Sequence, residues 1–325
     1  MNDLQAYRGA FDGLEPWAGF VPEGYFADFL GVLTDARFQP LSGVDRRAIG
    51  NREQHTGFPV IGNGDNAEGW FEAVNWLAAA RAARGRYVMI TLGACFGAQA
   101  VGAQRTLERV NPMPSKLVAV EPVPENFAWM RQHMRTNGID PDAHWLVPLS
   151  IGGSNDPVFF PVGGAGTGAN NAFSTNEPGA RRVYADTLIA AGRAKEALRE
   201  LILNNTTGLS KNLVPGHDVQ AEIKLVSCVT LHDLLGPFDL VDYLESDIQQ
   251  SEILVFPPFV DLLRRKVRRI HIGTHGGDVH ASLHALFADK GWEIVFSYAP
   301  NATHQSALGP FATNDGVLTV RNPDL

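Results

Sequence analysis

Two groups of residues in this chain could do chemistry. The first is Gly93-Ala94-Cys95-Phe96-Gly97 with Glu121: a glycine turn after an apolar run, then an acid closing the next apolar run. Turn glycines let a ligand approach the backbone, and an acid at the following strand tip can hold ribose hydroxyls. This spacing points to a nucleoside cofactor. The second group is Asp247-Ile248-Gln249-Gln250-Ser251-Glu252 with His271 and His275. Carboxylates and imidazoles just beyond strand ends are the groups that accept a proton while a new bond forms.

Such residues need a sheet to hold them. From Arg86 onward, strand and helix patterns alternate. Strands are expected at Tyr87–Leu92, Leu117–Glu121, Trp145–Ser150, Leu240–Glu245, Arg269–Gly273, Glu293–Tyr298 and Gly316–Arg321. Helices are expected at Ala98–Val110, Pro124–Asn137, Ser251–Val267 and Val279–Lys290. The early strands are continuous apolar runs, as a sheet covered on both faces requires. The last two follow one another without a crossover helix and should pair antiparallel at one edge. The expected fold is α/β, a Rossmann-like methyltransferase sheet of parallel strands with a terminal antiparallel hairpin strand. Residues 1–85 read as a mostly helical N-terminal extension, with a loop-rich stretch over Pro40–Gly64 and helical spacing over Ala67–Ala83. Residues 86–325 form the main domain, interrupted by an insertion over 151–238. That insertion starts with a glycine-rich loop at Gly163–Asn171 and carries a helix at Tyr184–Leu203.

Three glycine clusters compete for the cofactor. Gly62-Asn63-Gly64-Asp65-Asn66-Ala67 has the GxGxxA spacing, but no acid-tipped strand follows it, so it reads as a turn entering a helix. Gly163–Gly168 opens no helix. The turn at 93–97 has the right context on both sides, yet Cys95 stands where a diphosphate-binding turn wants its second glycine. That disfavours NAD and favours S-adenosylmethionine, which has no phosphate and tolerates a looser turn.

The segments ITLGACFG (90–97), LVAVEPVPENFAWMRQHMRTNGI (117–139), VTLHDLL (229–235), LVDYLESDIQQSE (240–252) and IHIGTHGGDVHASLHALFADKGWEI (270–294) resemble the FkbM family of S-adenosylmethionine-dependent methyltransferases. The resemblance spans most of residues 86–298 and implies that Asp247 belongs to the reaction centre. The chain departs from the family at three places. Thr91 stands where the family usually has an acid, Cys95 where it has Asn or Gly, and Gln250-Ser251 where it has Gly-Ala.

The residues expected to contact S-adenosylmethionine are Thr91, Gly93, Ala94, Gly97, Glu121, Pro122 and Ser150. Those expected to catalyse are Asp247, His275 and Glu252, with Asp247 or His275 as base. Glu252 also suits a first-turn acid favoured by the helix dipole, and His271 is expected to be a packed core residue. No metal is expected. Asp247, Glu252, His271 and His275 could be drawn around an ion, but His280 and His284 lack the glutamate of HExxH, having Ala281 instead. The expected partner is a small-molecule acceptor, a sugar or secondary metabolite methylated on oxygen, with a homo-oligomer allowed. An NAD-dependent oxidoreductase and a degenerate nucleoside-binding scaffold are the alternatives.

Composition limits the remaining classes. A net charge of −8 without a basic stripe gives no support for nucleic-acid binding. The run Arg264-Arg265-Lys266-Val267-Arg268-Arg269 reads as a solvated helix end. No apolar run is long enough for a membrane span. Two cysteines without CxxC spacing and no basic-then-apolar leader suit a cytoplasmic protein.

Overall fold

The computed structural model describes residues 4–38, 51–162, 173–174, 185–186, 188–190, 192–197 and 222–325. Seven strands build the central sheet: β1 Tyr87–Leu92, β2 Ser115–Val120, β3 Trp145–Val147, β4 Val241–Ser246, β5 Val267–Thr274, β6 Glu293–Tyr298 and β7 Gly316–Arg321. Their order is β6-β7-β5-β4-β1-β2-β3. Strands β3, β2, β1, β4 and β5 pair parallel. β7 runs antiparallel to both β5 and β6. The chain therefore has a Rossmann-like sheet whose last two strands pair antiparallel at one edge, as expected, with β7 set between β6 and β5.

The order reverses between β1 and β4, and there the carboxyl ends of the strands open a crevice for a ligand. All six residues of β1 and all six of β4 are buried, so both faces must be covered. Helices α1 (Glu68–Ala82), α2 (Ala98–Val110) and α3 (Pro124–Thr136) cover one face. Tyr87 and Met89 of β1 pack there with Ala73, Trp76 and Met130. Val88, Ile90 and Leu92 point the other way, into a core with α4 (Leu231–Leu235), α5 (Glu252–Val255), α6 (Val260–Lys266) and α7 (Gly277–Asp289). The period-two alternation of β1 is thus spent on two separate cores.

The N-terminal 85 residues differ from the expected helical extension. Among the described residues, α1 is their one α-helix, and short strands lie at Ala18–Val21, Tyr25–Ala27, Leu33–Asp35 and Arg52–His55. The apolar patch over Tyr25–Leu33 becomes a hairpin because the Asp28 carboxylate accepts from Leu30 N and Val32 N, at 2.8 and 2.9 Å, and closes a turn. Nor is this segment set apart. Leu4, Trp70, Phe71 and Val74 share a core with Phe296, Phe311 and Val317 from the end of the chain.

Two proline effects move other boundaries. The strand expected over Trp145–Ser150 stops at Val147, before Pro148, and Ser150–Ile151 instead pairs parallel with Cys228–Val229. The helix expected over Ser251–Val267 breaks at Pro257-Pro258 into α5, a 3₁₀ turn at Pro257–Phe259, and α6. Within the insertion, Val158–Val162 pairs antiparallel with Phe173–Ser174 and with Glu222–Val226. Residues 185–186, 188–190 and 194–197 are helical, while the Gly163–Asn171 loop lies outside the described residues. A hairpin absent from the sequence-based strand list, Ala302–Ser306 with Gly309–Thr313, stands between β6 and β7. The basic run is tied down locally: Arg264 pairs with Asp324, Arg268 with Asp242, and Lys266 caps the carbonyls of Leu235 and Phe238. No helix among the described residues is long and apolar enough to cross a membrane.

Candidate functional site

The glycine turn is stitched to the end of β2. Gly93 N and Ala94 N both donate to the Val120 carbonyl, at 3.1 and 2.9 Å, and Gly97 N donates back to Ala94 O. Gly93 has φ +76°, and a Cβ there would lie 2.0 Å from the Asp247 carbonyl oxygen. Glycine at 93 therefore lets the turn after β1 and the loop after β4 touch backbone to backbone. That contact puts Asp247 beside the turn, and Asp247 N completes it by donating to Leu92 O at 3.0 Å.

Glu121 follows β2 immediately, with its backbone N donating to Val147 O. Its side chain is 4% exposed. One carboxylate oxygen accepts from Cys95 N and the other from Val123 N, both at 2.8 Å. Burial pushes this carboxyl up to about 7 against the pull of those amides and of the Asn126 side chain. The acid thus fixes both the turn and the entry to α3. The two oxygens have four acceptor sites between them, the two amides and the Asn126 side chain take three, and one is left for a ligand.

A cleft of about 620 Å³ of open space lies between the two strand ends. Gly93, Cys95, Glu121, Pro122, Ser150 and Asp247 give it polar or close-packed walls, while Val120, Ile151, Phe160 and Ile248 make the rest apolar. The mixture suits a small ligand with a flat apolar part and a few hydrogen-bonding groups. No lysine or arginine among the described residues lines it.

Of the expected cofactor contacts, Gly93, Glu121, Pro122 and Ser150 line this cleft. Thr91, Ala94 and Gly97 do not. Thr91 is fully buried and faces the α1 layer, where its hydroxyl donates to Glu245 Oε2 at 2.6 Å. Ala94 is turned inward, and Gly97 packs against Met130 with φ +83°. Cys95, Asn126 and the apolar wall were missed. Their signal was position alone, two residues after Gly93 or five after Glu121.

Of the expected catalytic residues, Asp247 alone reaches the cleft, with half its side chain exposed. His275 stands behind it. One ring nitrogen lies 2.8 Å from Glu252 Oε1, and the other lies 3.2 Å from Asp247 Oδ1 and 3.5 Å from Asp315 Oδ1. Burial alone would push the imidazole down. Asp247, Asp315 and Glu252 outweigh it and push the ring up to about 12. The protonated ring is therefore favoured, which weighs against the expected role of His275 as base; Gln249 Nε2 also lies 2.9 Å from the ring nitrogen that faces Asp247. Glu252 is fully buried behind it and touches no ligand space.

His271 is a core residue as expected. It is held by Thr319 Oγ1 at 2.8 Å and Asn75 Nδ2 at 3.1 Å, and burial depresses it to about 3. Among the described residues, no group of three or more His, Cys, Asp or Glu side chains is arranged to hold a metal ion. Three non-glycine residues at the cleft have left-handed backbone: Cys95 (φ 47°), Gln249 (φ 51°) and Gln250 (φ 73°). Such strain gathers at ligand sites.

No family model matches the chain. Over 307 residues it is 26% identical to a protein of Jannaschia sp. (strain CCS1) provisionally named a methyltransferase, covering 93% of this chain and 94% of that one. Among solved structures it is similar to a precorrin-6y C5,15-methyltransferase from Geobacter metallireducens, with TM-score 0.37, 9% identity, and 76% and 86% of the two chains covered. An O-methyltransferase from Bacillus cereus, solved with SAH, gives TM-score 0.36, 10% identity, and 80% and 83% coverage. The methyltransferase FkbM from Methylobacillus flagellatus gives TM-score 0.39 and 10% identity, with 77% of this chain matching 52% of that longer one.

Proposed function

We propose that this protein is an S-adenosylmethionine-dependent methyltransferase that methylates a hydroxyl on a small molecule, a sugar or secondary metabolite. The observation that carries the reading is the buried Glu121 carboxylate, set at the tip of β2 and facing the Gly93 turn across an apolar-walled cleft. The provisional name of the Jannaschia relative supports it. The residues present fit the donor: Glu121 for the ribose hydroxyls, Val120, Ile151 and Phe160 for the adenine ring, and Gly93 for close approach of the chain beyond the ribose. Among the described residues, no basic side chain lines the cleft to meet the diphosphate of NAD.

S-adenosylmethionine supplies a methyl group on a sulfonium, and attack by the acceptor oxygen forms the carbon–oxygen bond as the carbon–sulfur bond breaks. The protein aligns the two reactants. Asp247, at the cleft's open end, takes the hydroxyl proton as the bond forms. His275 and Glu252 are positioning residues: Glu252 orients the ring, and the imidazolium holds one Asp247 oxygen while leaving the other to the acceptor.

Calorimetry tests the donor site. SAH should bind in the micromolar range, and Glu121→Ala should weaken it by roughly 10-fold or more, the worth of a hydrogen bond to a charged group. NADH should not bind. Unchanged SAH affinity in the variant would refute the assignment.

A further inference from the structure

On the donor reading above, one end of the cofactor still lacks its counter-charge. The amino-acid tail carries an α-ammonium, and among the described residues the cleft offers it no acid besides Asp247 once Glu121 is engaged with the ribose. Position 91 is a threonine, and the neighbouring acid Glu245 is only 3% exposed, with one oxygen accepting from Thr91 Oγ1. A carboxylate must come from another element.

Helix α1 brings one. Its first turn is linked to Asp247 through Asp315 and His275. Glu68 Oε1 accepts from Asn314 N and Asp315 N at 2.9 and 2.8 Å, and Asp315 and Asp247 meet at His275. One turn further along α1, Glu72 bonds the side chain of Gln99, whose Oε1 also accepts from Trp76 Nε1 at 2.9 Å. Gln99 is the second residue of α2, which begins directly after the glycine turn. Glu72 also faces a second cavity, of about 840 Å³ of open space, walled by Phe29, Gln54, His55, Gly69 and Trp76. Among the described residues, the buried Gln54 Oε1 has no hydrogen-bond partner.

Among the described residues, the charges acting on Glu72 are those of Glu68 and Asp247, both acids, and no lysine or arginine of the described residues lines either cavity. A desolvated carboxylate among other carboxylates is costly unless something brings a cation. Burial first, and Glu68 next, push Glu72 up to about 7.

We propose that Glu72 receives the α-ammonium of the donor's methionine end, so that α1, an element outside the strand-end turns, completes the cofactor site. Gln99 orients the carboxylate, and the second cavity gives the tail its room.

Calorimetry with two probes separates this role from a structural one. SAH carries the amino-acid tail, whereas methylthioadenosine has the same nucleoside without it. Glu72→Gln should weaken SAH by roughly 10-fold or more and leave methylthioadenosine within about 2-fold of its parent value. Equal SAH affinity in parent and variant overturns the proposal, and so does an equal loss for both probes. Should Glu72→Gln fail to fold, Glu72→Asp, which keeps the charge but withdraws it by one methylene, is held to the same contrast. A parent protein that binds neither probe removes the donor reading itself, an outcome distinct from either of these.

Discussion

Glu121 serves as both a brace and a ligand. Its two oxygens hold the amides of Cys95 and Val123, so its removal loosens the turn and the start of α3 as well as the ribose contact. Its carboxyl is pushed up to about 7, and the ionised form is the better acceptor for ribose hydroxyls. SAH affinity should therefore rise between about pH 6 and pH 8 and level off above; a profile flat across that range, measured by calorimetry, would contradict the role. Gly93 allows no side chain. With a Cβ 2.0 Å from the Asp247 carbonyl and φ at +76°, Gly93→Ala should cost about 3 kcal/mol in a denaturant melt. Gln250 is the reverse case. At φ 73° it stores strain that glycine would release, so Gln250→Gly should stabilise the apo protein by about 1 kcal/mol. Two departures from the FkbM pattern, Cys95 and Gln250, fall on left-handed positions. There the family's Gly or Asn is explained by backbone conformation alone.

At the scale of elements, apolar runs were the reliable signal. Tyr87–Leu92, Glu293–Tyr298 and Gly316–Arg321 were legible to the residue because each is bounded by glycine, proline or charge. Prolines 148, 257 and 258 mark the misread boundaries, and in each case the missing N–H or the ring ends an element that periodicity would have continued. The short strands before α1 were not legible, since three or four residues carry too little pattern to outweigh their turns. In the candidate site, strand-end placement found Gly93, Glu121, Pro122, Ser150 and Asp247. It did not foresee that the Thr91 side chain follows the strand alternation to the opposite face, or that acids far away in sequence surround His275. Glu68 ties the head of α1 to the turn before β7 through two backbone amides. Glu68→Ala should orphan both and lower stability by about 1–2 kcal/mol, with faster hydrogen exchange at Asn314 and Asp315 as the check.

Across the whole molecule, buried titratable groups pull stability in opposite directions with pH. Glu72 and Glu121 are pushed from the usual carboxyl range up to about 7, so the native state holds their protons more tightly than the unfolded chain. Their effect on stability is most favourable below about pH 4.5 and is lost as pH rises toward 7. His133, His271 and His280 are depressed by burial, to about 4, 3 and 4, so their contribution is present above about pH 6.5 and lost as pH falls. His275, raised to about 12, keeps its contribution across the neutral range and loses it only as pH rises toward that value. The parent melting curve mixes these trends, and Glu72→Gln separates one of them. Without ligand, the variant's melting advantage over the parent should widen from about pH 5 to about pH 8, toward an upper bound of about 3 kcal/mol. An advantage that shrinks over that range would show that Glu72 is not a desolvated acid.

The last strand of the sheet in chain order has a consequence for how the molecule is made. β7 is wedged between β5 and β6 and hydrogen-bonded to both, yet every other strand of the sheet leaves the ribosome before it. Until residues 316–321 emerge, β5 presents a bare margin of unsatisfied amides and carbonyls, and β6 has no place to dock. During translation the nascent chain must hold a five-strand sheet with its β5 edge open. A stalled or prematurely terminated copy would be left with a sticky seam, making such truncations prone to aggregation.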